Sequence, residues 1–401
     1  MGNSTSSQSW LEVYEEIFRR YYSRADLLLP NDFYVREIAL QTLYGENYIR
    51  HLSFSTISEL RRAITERIPR HLFYSSAKYR EPANTSMDEK QWMGSDLVFD
   101  IDANDVEECT LERGVTTFRF CKICGYTASE NIKQCPKCGS LLLKFEHVDN
   151  RCIRTALLYL DKLIDVVLSD LNFNVLKASF SGHRGFHLIV ELDQPFDKMN
   201  QETRRAIVSY IKLDESAATY IKTHLLKLDK GRAVPLPPKI SDGGIRRRIA
   251  KELQSMPIDE VVRKYVAGQL SKLSFSDALR MYKVLETHID DVIKRVSIPI
   301  DPKVTIDTTH LVRVPNSING KTGWIAYNIK KLDISEFSMD HSLLSPEEGV
   351  KLKIRIDIDL PRLEIIDTTF SFTRGEEAVL DYVYASYLVF KGVATLTDVK
   401  S

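Results

Sequence analysis

The sequence predicts a mixed α/β protein, because segments with strand periodicity and segments with helix periodicity follow one another along the chain. Residues 96–102 alternate between apolar and acidic side chains, which is the period of a strand, whereas residues 150–171 carry an apolar stripe with steps of three and four. Residues 196–295 are charged and helix-rich. With 401 residues and 43% hydrophobic content, the chain is long enough for two or three compact units.

Composition and charge limit the classes of function. Lys and Arg together number 55, as do Asp and Glu, so no net charge attracts the chain to nucleic acid or to a membrane. Nucleic-acid contacts would come from local basic clusters such as residues 61–70 or 246–248, although such clusters are usually solvated surface. No apolar run approaches a membrane span and no signal peptide is evident, so we expect no membrane contact. Six cysteines, four of them in tight pairs, favour a reducing compartment and a metal site over disulfides.

The N-terminal part of the chain is predicted to alternate between helices and strands. Apolar side chains recur at helix spacing in residues 9–23 and 55–67, the first helix capped by Ser9. Charged residues set among apolar ones predict strands at residues 35–40, 48–54 and 71–80. A polar loop then leads to the strand at residues 96–102.

Two carboxylates on that strand form the first candidate site. Successive side chains of a strand point to opposite faces, so Asp100 and Asp102 share one face while Phe99 and Ile101 point into a core. A solvated strand edge would also explain such a pair. The bulk of Val98, Phe99 and Ile101 instead indicates an interior strand, where neighbouring carboxylates repel each other unless a cation lies between them. We therefore predict a divalent-metal site.

Four cysteines follow in two pairs with ten residues between the pairs: Cys121, Cys124, Cys135 and Cys138. Four free thiols would leave this polar segment with almost no core, whereas four thiolates suit tetrahedral zinc. Because four cysteines leave no open ligand position, we expect a structural zinc, although such a ribbon could instead be a nucleic-acid reader. Cys109 and Cys152 lie outside the pattern and are expected to be buried apolar residues.

A turn containing two glycines is the second candidate site. The helix at residues 150–171 leads to strands at residues 175–180 and 186–190, and the connection between them reads Ser181, Gly182, His183, Arg184, Gly185. Glycine permits positive φ and close approach of the backbone to a ligand, while the turn and the following His187 add a hydroxyl, a planar cation and imidazoles. A plain hairpin would explain the turn alone. Beside a two-carboxylate strand, we interpret it as a phosphate cradle.

The last part of the chain supplies further acids and cations. Asp301 and Asp307 each end an apolar stretch, so either could be a third metal ligand or merely cap a turn, and local context does not decide. Arg313 and Lys321 lie in a loop rich in turn residues, which indicates counter-charges for a phosphate group. We also predict a strand at residues 352–358 and a helix at residues 376–390.

Together these motifs resemble the catalytic small subunit of archaeal and eukaryotic DNA primases. The family's order is matched by Asp100-Ile101-Asp102, by the turn from Ser181 to His187, and by a loop containing Arg313, Pro315, Ser317, Asn319, Gly320, Lys321, Thr322 and Gly323. The resemblance extends from about Arg36 to Tyr327, and the cysteine site after the acidic strand is similar to that of archaeal members. Many members carry histidine where this chain has Asn319, which can donate a hydrogen bond but cannot carry charge.

The resemblance implies DNA-dependent synthesis of short RNA or DNA primers de novo on single-stranded DNA by two-metal nucleotidyl transfer. It implies that Asp100, Asp102 and Asp301 bind catalytic Mg²⁺ or Mn²⁺, with Asp301 chosen over Asp307 by its position before the loop. The residues implied in nucleotide binding are Arg50, Tyr79, Ser181, Gly182, His183, Arg184, His187, Asp307, Arg313, Ser317, Asn319 and Lys321. The implied partners are a large primase subunit, a single-stranded DNA template and nucleoside triphosphates.

The implied architecture is a primase-type catalytic core (residues 1–108, 140–195 and 296–401) with a zinc-binding module (109–139) and a helical insertion (196–295). A cytoplasmic, nucleoid-associated location follows from that function. Two alternatives remain open. An end-joining repair polymerase of the same superfamily would be favoured by a ligase or nuclease domain on the chain. A non-catalytic zinc-ribbon protein that binds single-stranded nucleic acid is disfavoured by the neutral net charge.

Overall fold

The computed structural model describes residues 10–129, 131–225, 237–344 and 349–400. The chain divides into two compact units. The larger unit consists of Met1–Leu158, Leu176–Met199 and Asp307–Ser401, and the smaller unit consists of Tyr159–Val175 and Asn200–Ile306. The helix cap predicted at Ser9 lies outside the described residues.

The helices, in chain order, are α1 Trp10–Arg24, α2 Ile57–Arg67, α3 Glu107–Leu111, α4 Asn150–Ser169, α5 Gln201–Lys212, α6 Glu215–Tyr220, α7 Gly244–Ser255, α8 Glu260–Val266, α9 Phe275–Val296, α10 Pro302–Ile306 and α11 Tyr382–Phe390. Short 3-10 turns lie at Phe33–Val35, Asp88–Lys90, Ala103–Asp105, Phe196–Lys198, Lys330–Leu332, Ile334–Glu336 and Met339–Ser342, and a π-helical turn at Ile221–Leu225. No helix in these ranges combines the length and the hydropathy that crossing a bilayer requires.

The strands, in chain order, are β1 Ile38–Thr42, β2 Ile49–Leu52, β3 Pro69–Ser75, β4 Ala77–Tyr79, β5 Trp92–Ser95, β6 Leu97–Asp102, β7 Val115–Phe120, β8 Thr127–Ala128, β9 Leu143–Val148, β10 Leu176–Phe180, β11 Gly185–Val190, β12 Leu311–Arg313, β13 Ile318–Asn319, β14 Trp324–Ile325, β15 Asn328–Ile329, β16 Lys351–Ile356, β17 Leu360–Ile365, β18 Thr368–Phe372, β19 Glu377–Asp381 and β20 Ala394–Lys400. All of them lie in the larger unit. The chain is therefore the mixed α/β protein that its periodicity predicts.

Two four-stranded antiparallel sheets form the centre of the larger unit, in the orders β12-β3-β1-β2 and β15-β10-β11-β6. Three-stranded sheets have the orders β8-β7-β9 and β19-β16-β20, and hairpins pair β4 with β5, β13 with β14 and β17 with β18. Behind the second sheet, the rings of Phe180, Phe186 and Phe337 lie 5.3–5.5 Å apart. This aromatic cluster fixes β10 and β11 close to the connection that joins them.

The first and last helices of the larger unit pack against each other. The ring of Phe390 lies 4.8 Å from that of Tyr14 and stacks on Phe18 at 5.7 Å. The Tyr14 hydroxyl donates to Ser386 Oγ at 3.2 Å. The end of α11 therefore has a fixed position, which matters for the residue that follows it.

The described residues of the smaller unit form helices and connecting loops without a strand, in agreement with the helix-rich pattern of its sequence. Helices α7, α8 and α9 enclose an apolar core that includes Ile249, Leu253, Met281 and Leu285. The buried Arg248 guanidinium donates to main-chain carbonyl groups, including that of Tyr210 at 2.9 Å. These contacts satisfy a buried cation with backbone oxygens, so Arg248 serves the packing of this unit.

Two local predictions are wrong. The predicted helix at residues 376–390 begins only at Tyr382, because Glu377–Asp381 is strand β19 and pairs with β16. Sheet pairing here overrides the helix propensity of the segment. Cys109 and Cys152 are buried as expected, yet they form a disulfide and are not separate apolar side chains. Nothing local in the sequence reveals this pairing, because the two cysteines are 43 positions apart.

Candidate active site

The acidic strand adopts the predicted geometry. In β6, Phe99 and Ile101 are fully buried, whereas the side chains of Asp100 and Asp102 are 20% and 25% exposed. The two acids therefore share a solvent-facing side of the strand, as period-2 alternation requires. An exposed fraction of this size leaves room for a ligand while keeping the carboxylates partly desolvated.

Strand β11 lies beside the acids, with His187 opposite Asp100 and Gly185 opposite Asp102. His187 Nε2 is 3.6 Å from Asp100 Oδ1, and burial lowers the pKa of His187 to about 3, assisted by the charge of Arg313. The imidazole is therefore neutral at physiological pH and adds no positive charge to the acid pair. A Cβ atom on Gly185 would lie 2.5 Å from Asp102 Oδ1 and from the Ile101 carbonyl oxygen, so only glycine fits there.

Arg184 connects the turn to the acids. Its Nε and Nη2 atoms donate to Asp102 Oδ2 at 3.0 and 2.8 Å, and its Nη1 donates to Glu146 Oε2 at 2.7 Å. Burial of the guanidinium opposes its charge, but the two carboxylates raise the pKa of Arg184 further. In this structure the predicted nucleotide ligand Arg184 is thus paired with one of the predicted metal ligands.

The loop at residues 313–323 is fastened to the turn by buried hydrogen bonds. Asn319 Nδ2 donates to the Ser181 carbonyl at 2.8 Å, while Asn319 Oδ1 accepts from the Lys321 N–H at 3.0 Å. Thr322 Oγ1 donates to the Gly182 carbonyl at 2.6 Å. Gly182 has φ +74°, and a Cβ there would meet the chain at Ile325 at 3.0 Å. Asn319 therefore uses its amide to join the two segments.

Two cations of that loop face the turn. Arg313 is buried, donates to His71 Nδ1 at 3.0 Å and lies 4.7 Å above the ring of Phe73. Burial lowers the pKa of Arg313 to about 10, so it remains protonated at physiological pH. Desolvation and the charges of Arg184 and Arg313 also lower the pKa of Lys321. The mutual repulsion among these cations shows that positive charge is concentrated here.

Arg50 and Tyr79 belong to a separate group around Glu37. The buried Glu37 accepts from Arg50 Nε and from Lys90 Nζ, both at 2.8 Å. The Lys90 ammonium lies 4.9 Å above the buried Tyr79 ring. Arg50 is 40% exposed and so can reach a ligand, whereas Tyr79 is buried, and its hydroxyl has no hydrogen-bond partner among the described residues.

The three remaining predicted site residues, Asp301, Asp307 and Ser317, make different contacts. Asp301 lies in the smaller unit, where its Oδ1 accepts the Lys303 N–H at 2.8 Å at the start of α10. Asp307 lies in the larger unit, and hydrogen bonds from His310 and Thr309 lower its pKa to about 2. Ser317 is fully buried. The acid pair and the two loops thus meet within one unit, whereas Asp301 belongs to the other.

Two residues that contact the turn, Glu146 and Lys391, are not predicted by any sequence motif. Glu146 of β9 pairs with Arg184, and Lys391, directly after α11, donates to His183 Nε2 and to the Glu146 carbonyl, both at 2.6 Å. Neither lies in a recognisable motif, and they are 245 positions apart. Only the folded chain brings them to the turn.

The four paired cysteines form one compact group in the β8-β7-β9 region, in agreement with their spacing. Their Sγ atoms all lie within 4.8 Å of one another, with separations of 3.4, 3.4 and 3.7 Å for three of the pairs. A tetrahedral zinc with Zn–S bonds of about 2.3 Å would place sulfur atoms roughly 3.8 Å apart. Both pairs use the same turn, in which the N–H of Gly125 or Gly139 donates to the carbonyl of the first cysteine. This group could bind zinc.

Comparison with known proteins gives a consistent result. The family model described as DNA primase small subunit matches residues 146–329. The chain is 33% identical over 392 residues to the DNA primase small subunit PriS of Hyperthermus butylicus, covering 96% of both chains. It is 34% identical over 391 residues to that of Staphylothermus marinus (95% and 94% covered) and 31% identical over 353 residues to that of Saccharolobus solfataricus (87% and 85% covered).

These relatives match nearly the whole chain, so the similarity is not confined to the cysteine group or to one loop. It supports the primase interpretation over both the repair polymerase and the non-catalytic nucleic-acid binder. It also agrees with metal-dependent catalysis. The chain belongs to the family of DNA primase small subunits, the catalytic nucleotidyltransferase subunits that synthesise primers.

Proposed function

We propose that Asp100 and Asp102 hold the catalytic metal ions with which this chain starts primers on single-stranded DNA; the role of Asp301 as a third ligand stays a prediction from the sequence. The observation that carries the proposal is the side-by-side position of Asp100 and Asp102 next to a turn and loop with concentrated positive charge. Oxygen ligands of this kind suit Mg²⁺ or Mn²⁺. Bound divalent ions would supply activation of a 3′-hydroxyl and stabilisation of the leaving pyrophosphate.

The protein's own residues would bind the triphosphate. Lys321 and Arg313 contribute fixed positive charge, and the neutral His183 and His187 contribute N–H donors without charge. Gly182 lets the turn pack against the main chain at Ile325, where a Cβ would lie only 3.0 Å away, and so helps to position the turn. The proposed nucleotide-binding set also includes Ser181, Arg184, Arg50, Tyr79, Asp307, Ser317 and Asn319, of which Asn319 acts by holding the loop and Ser317 by packing beneath it.

Arg184 has a dual role in this proposal. In the structure it neutralises part of the charge of Asp102 and Glu146. When the acids are compensated by divalent ions, the guanidinium becomes available for a phosphate oxygen. Arg184 would thereby keep the acid pair ordered until metal and nucleotide bind.

The cysteine group would bind a structural Zn²⁺, because four protein ligands leave no position for substrate. The template would be single-stranded DNA, the substrates nucleoside triphosphates, and a large primase subunit the partner. Since primers are made on the replicating chromosome, we propose a cytoplasmic, nucleoid-associated location.

A single assay tests the acid pair. Labelled nucleotide is incubated with unprimed single-stranded DNA and either Mg²⁺ or Mn²⁺, using the wild type, Asp100→Asn and the exposed-surface control Asp88→Asn. We expect products from the wild type and the control and none from Asp100→Asn, because an amide is a poor ligand for divalent ions. Normal incorporation by Asp100→Asn would exclude Asp100 from the metal site.

A further inference from the structure

The position directly after α11 places an ammonium group inside the nucleotide site. Lys391 Nζ donates to His183 Nε2 and to the Glu146 carbonyl, both at 2.6 Å, and lies 5.2 Å above the Tyr387 ring. One side chain thus contacts the turn after β10, strand β9 and helix α11. These three segments are far apart in sequence, and the packing of Phe390 on α1 fixes where the lysine begins.

The hydrogen bond to Lys391 determines the state of His183. A lysine ammonium can only donate, so His183 Nε2 must be unprotonated and the ring proton must sit on Nδ1. Burial, together with the charges of Lys391, Lys321 and Arg184, keeps the pKa of His183 well below its usual range, which excludes the imidazolium. His183 therefore offers one N–H, on the side of the ring away from Lys391.

We propose that Lys391 is a positioning residue for nucleotide binding, which holds His183 in the Nδ1–H tautomer so that this N–H can donate to the phosphates of a nucleoside triphosphate. This inference rests on the proposed triphosphate site. It assigns a role to a residue that no sequence motif indicates, and it explains why a partly buried lysine lies where the charges of Arg184 and Lys321 repel its own charge.

The charged groups around Lys391 predict that nucleotide binding depends on pH. Burial lowers the pKa of Lys391 to about 7; Lys321 and Arg184 act in the same direction and Glu146 opposes them. The other titratable groups that face it are His147, His183 and Tyr387, of which both histidines are neutral and Tyr387 remains protonated. A bound triphosphate adds negative charge, so it raises the pKa of Lys391 and nucleotide binding takes up a proton.

The sign of the effect follows from this linkage. Below about pH 7 Lys391 is already protonated and nucleotide affinity is at its full value. As the pH rises through this pKa, the free protein loses the proton and nucleotide affinity falls. A lysine that only supports the fold would change stability with pH but would not make nucleotide affinity pH-dependent.

The test measures binding of a nucleoside triphosphate to the full chain by calorimetry, without template, between pH 6 and 9. We expect Lys391→Met to weaken binding about tenfold at pH 6.5, as loss of a charge-assisted hydrogen bond predicts, and to flatten the pH dependence. Lys391→Arg should keep most of the affinity and also lose the pH dependence, because a guanidinium stays protonated. Lys330→Met, an exposed lysine of the same unit, should bind like the wild type.

A double-mutant cycle with His183→Ala separates positioning from support of the fold. If Lys391 acts through His183, then Lys391→Met should cost little further affinity in the His183→Ala background. Additive losses, or unchanged affinity of Lys391→Met in a protein whose wild type binds nucleotide, would overturn the inference. Failure of the wild type to bind any nucleoside triphosphate would instead overturn the proposed triphosphate site.

Discussion

Two Arg–Asp pairs flank strand β6, and their surroundings differ completely. Asp96, immediately before the strand, pairs with Arg36 at 2.7 Å, and both side chains are 1% exposed. Asp102, at the other end, pairs with Arg184 at 2.8 Å, with exposures of 25% and 21%. Arg36 also binds Asp32 and the Ser75 and Ser76 carbonyls, so the first pair is enclosed by protein partners.

The comparison teaches that environment, and not residue type, separates an ion pair that is enclosed by the fold from one that a ligand can reach. Burial raises the pKa of Asp96 even though Arg36 and Lys78 oppose this shift, so this carboxylate depends on its partners for its charge. Removing one partner from such a pair leaves a buried charge uncompensated. The Asp102 pair lies on an open face beside Asp100, where water, metal or phosphate can replace either partner.

The largest expected effect is the loss of nucleotide incorporation when the third acid that the sequence predicts, Asp301, is replaced. If Asp301 is the third metal ligand that the family resemblance implies, Asp301→Ala should abolish nucleotide incorporation at every Mg²⁺ concentration, because a lost metal ligand cannot be replaced from solution. Asp307→Ala should retain measurable activity, because Asp307 accepts from the Thr309 N–H and would support nucleotide binding without holding a metal ion. A magnesium titration of both variants checks this. Activity of Asp301→Ala together with loss of activity in Asp307→Ala would transfer the role of third ligand to Asp307.

A second prediction concerns the cysteine group, which we regard as structural like the enclosed ion pair. Cys135→Ser should release zinc and lower the melting temperature, because the binding energy of a structural site is folding energy. Activity per folded molecule should persist. Metal analysis, thermal unfolding and the primer assay measure the three quantities, with the exposed Ser129→Ala as control. Complete loss of activity at an unchanged melting temperature would make this metal catalytic.

A smaller effect is expected where the loop is fastened to the turn. Asn319→Ala removes both amide hydrogen bonds and leaves the Ser181 carbonyl and the Lys321 N–H to find other partners. We expect a loss of roughly 1–3 kcal/mol in stability and a higher KM for nucleotide. Asn131→Ala, which removes two exposed hydrogen bonds from Arg119, should change neither. An unchanged KM for Asn319→Ala would show that the loop is held by its other contacts.

The sequence predicts those parts of the site whose residues lie close together along the chain. The cysteine pairs, the alternating acids and the glycine turn each lie within about twenty residues, and each of these groups adopts the expected arrangement. The contacts of Glu146 and Lys391 depend on tertiary packing, which no local pattern encodes. For the same reason the segment at residues 377–381, whose composition suits a helix, is a strand paired with β16.

The contrast between the two ion pairs is tested most directly by measuring thermal unfolding and primer synthesis side by side for Asp96→Asn and Asp102→Asn. We predict that Asp96→Asn loses about 3 kcal/mol of stability, the range for a broken buried pair, and keeps its activity per folded molecule. Asp102→Asn should lose incorporation while its melting temperature stays close to that of the wild type, because the pair is partly exposed and Arg184 keeps Glu146 as a partner. If Asp102→Asn incorporates nucleotide normally, or if Asp96→Asn stays stable but inactive, the assignment of the two pairs is contradicted.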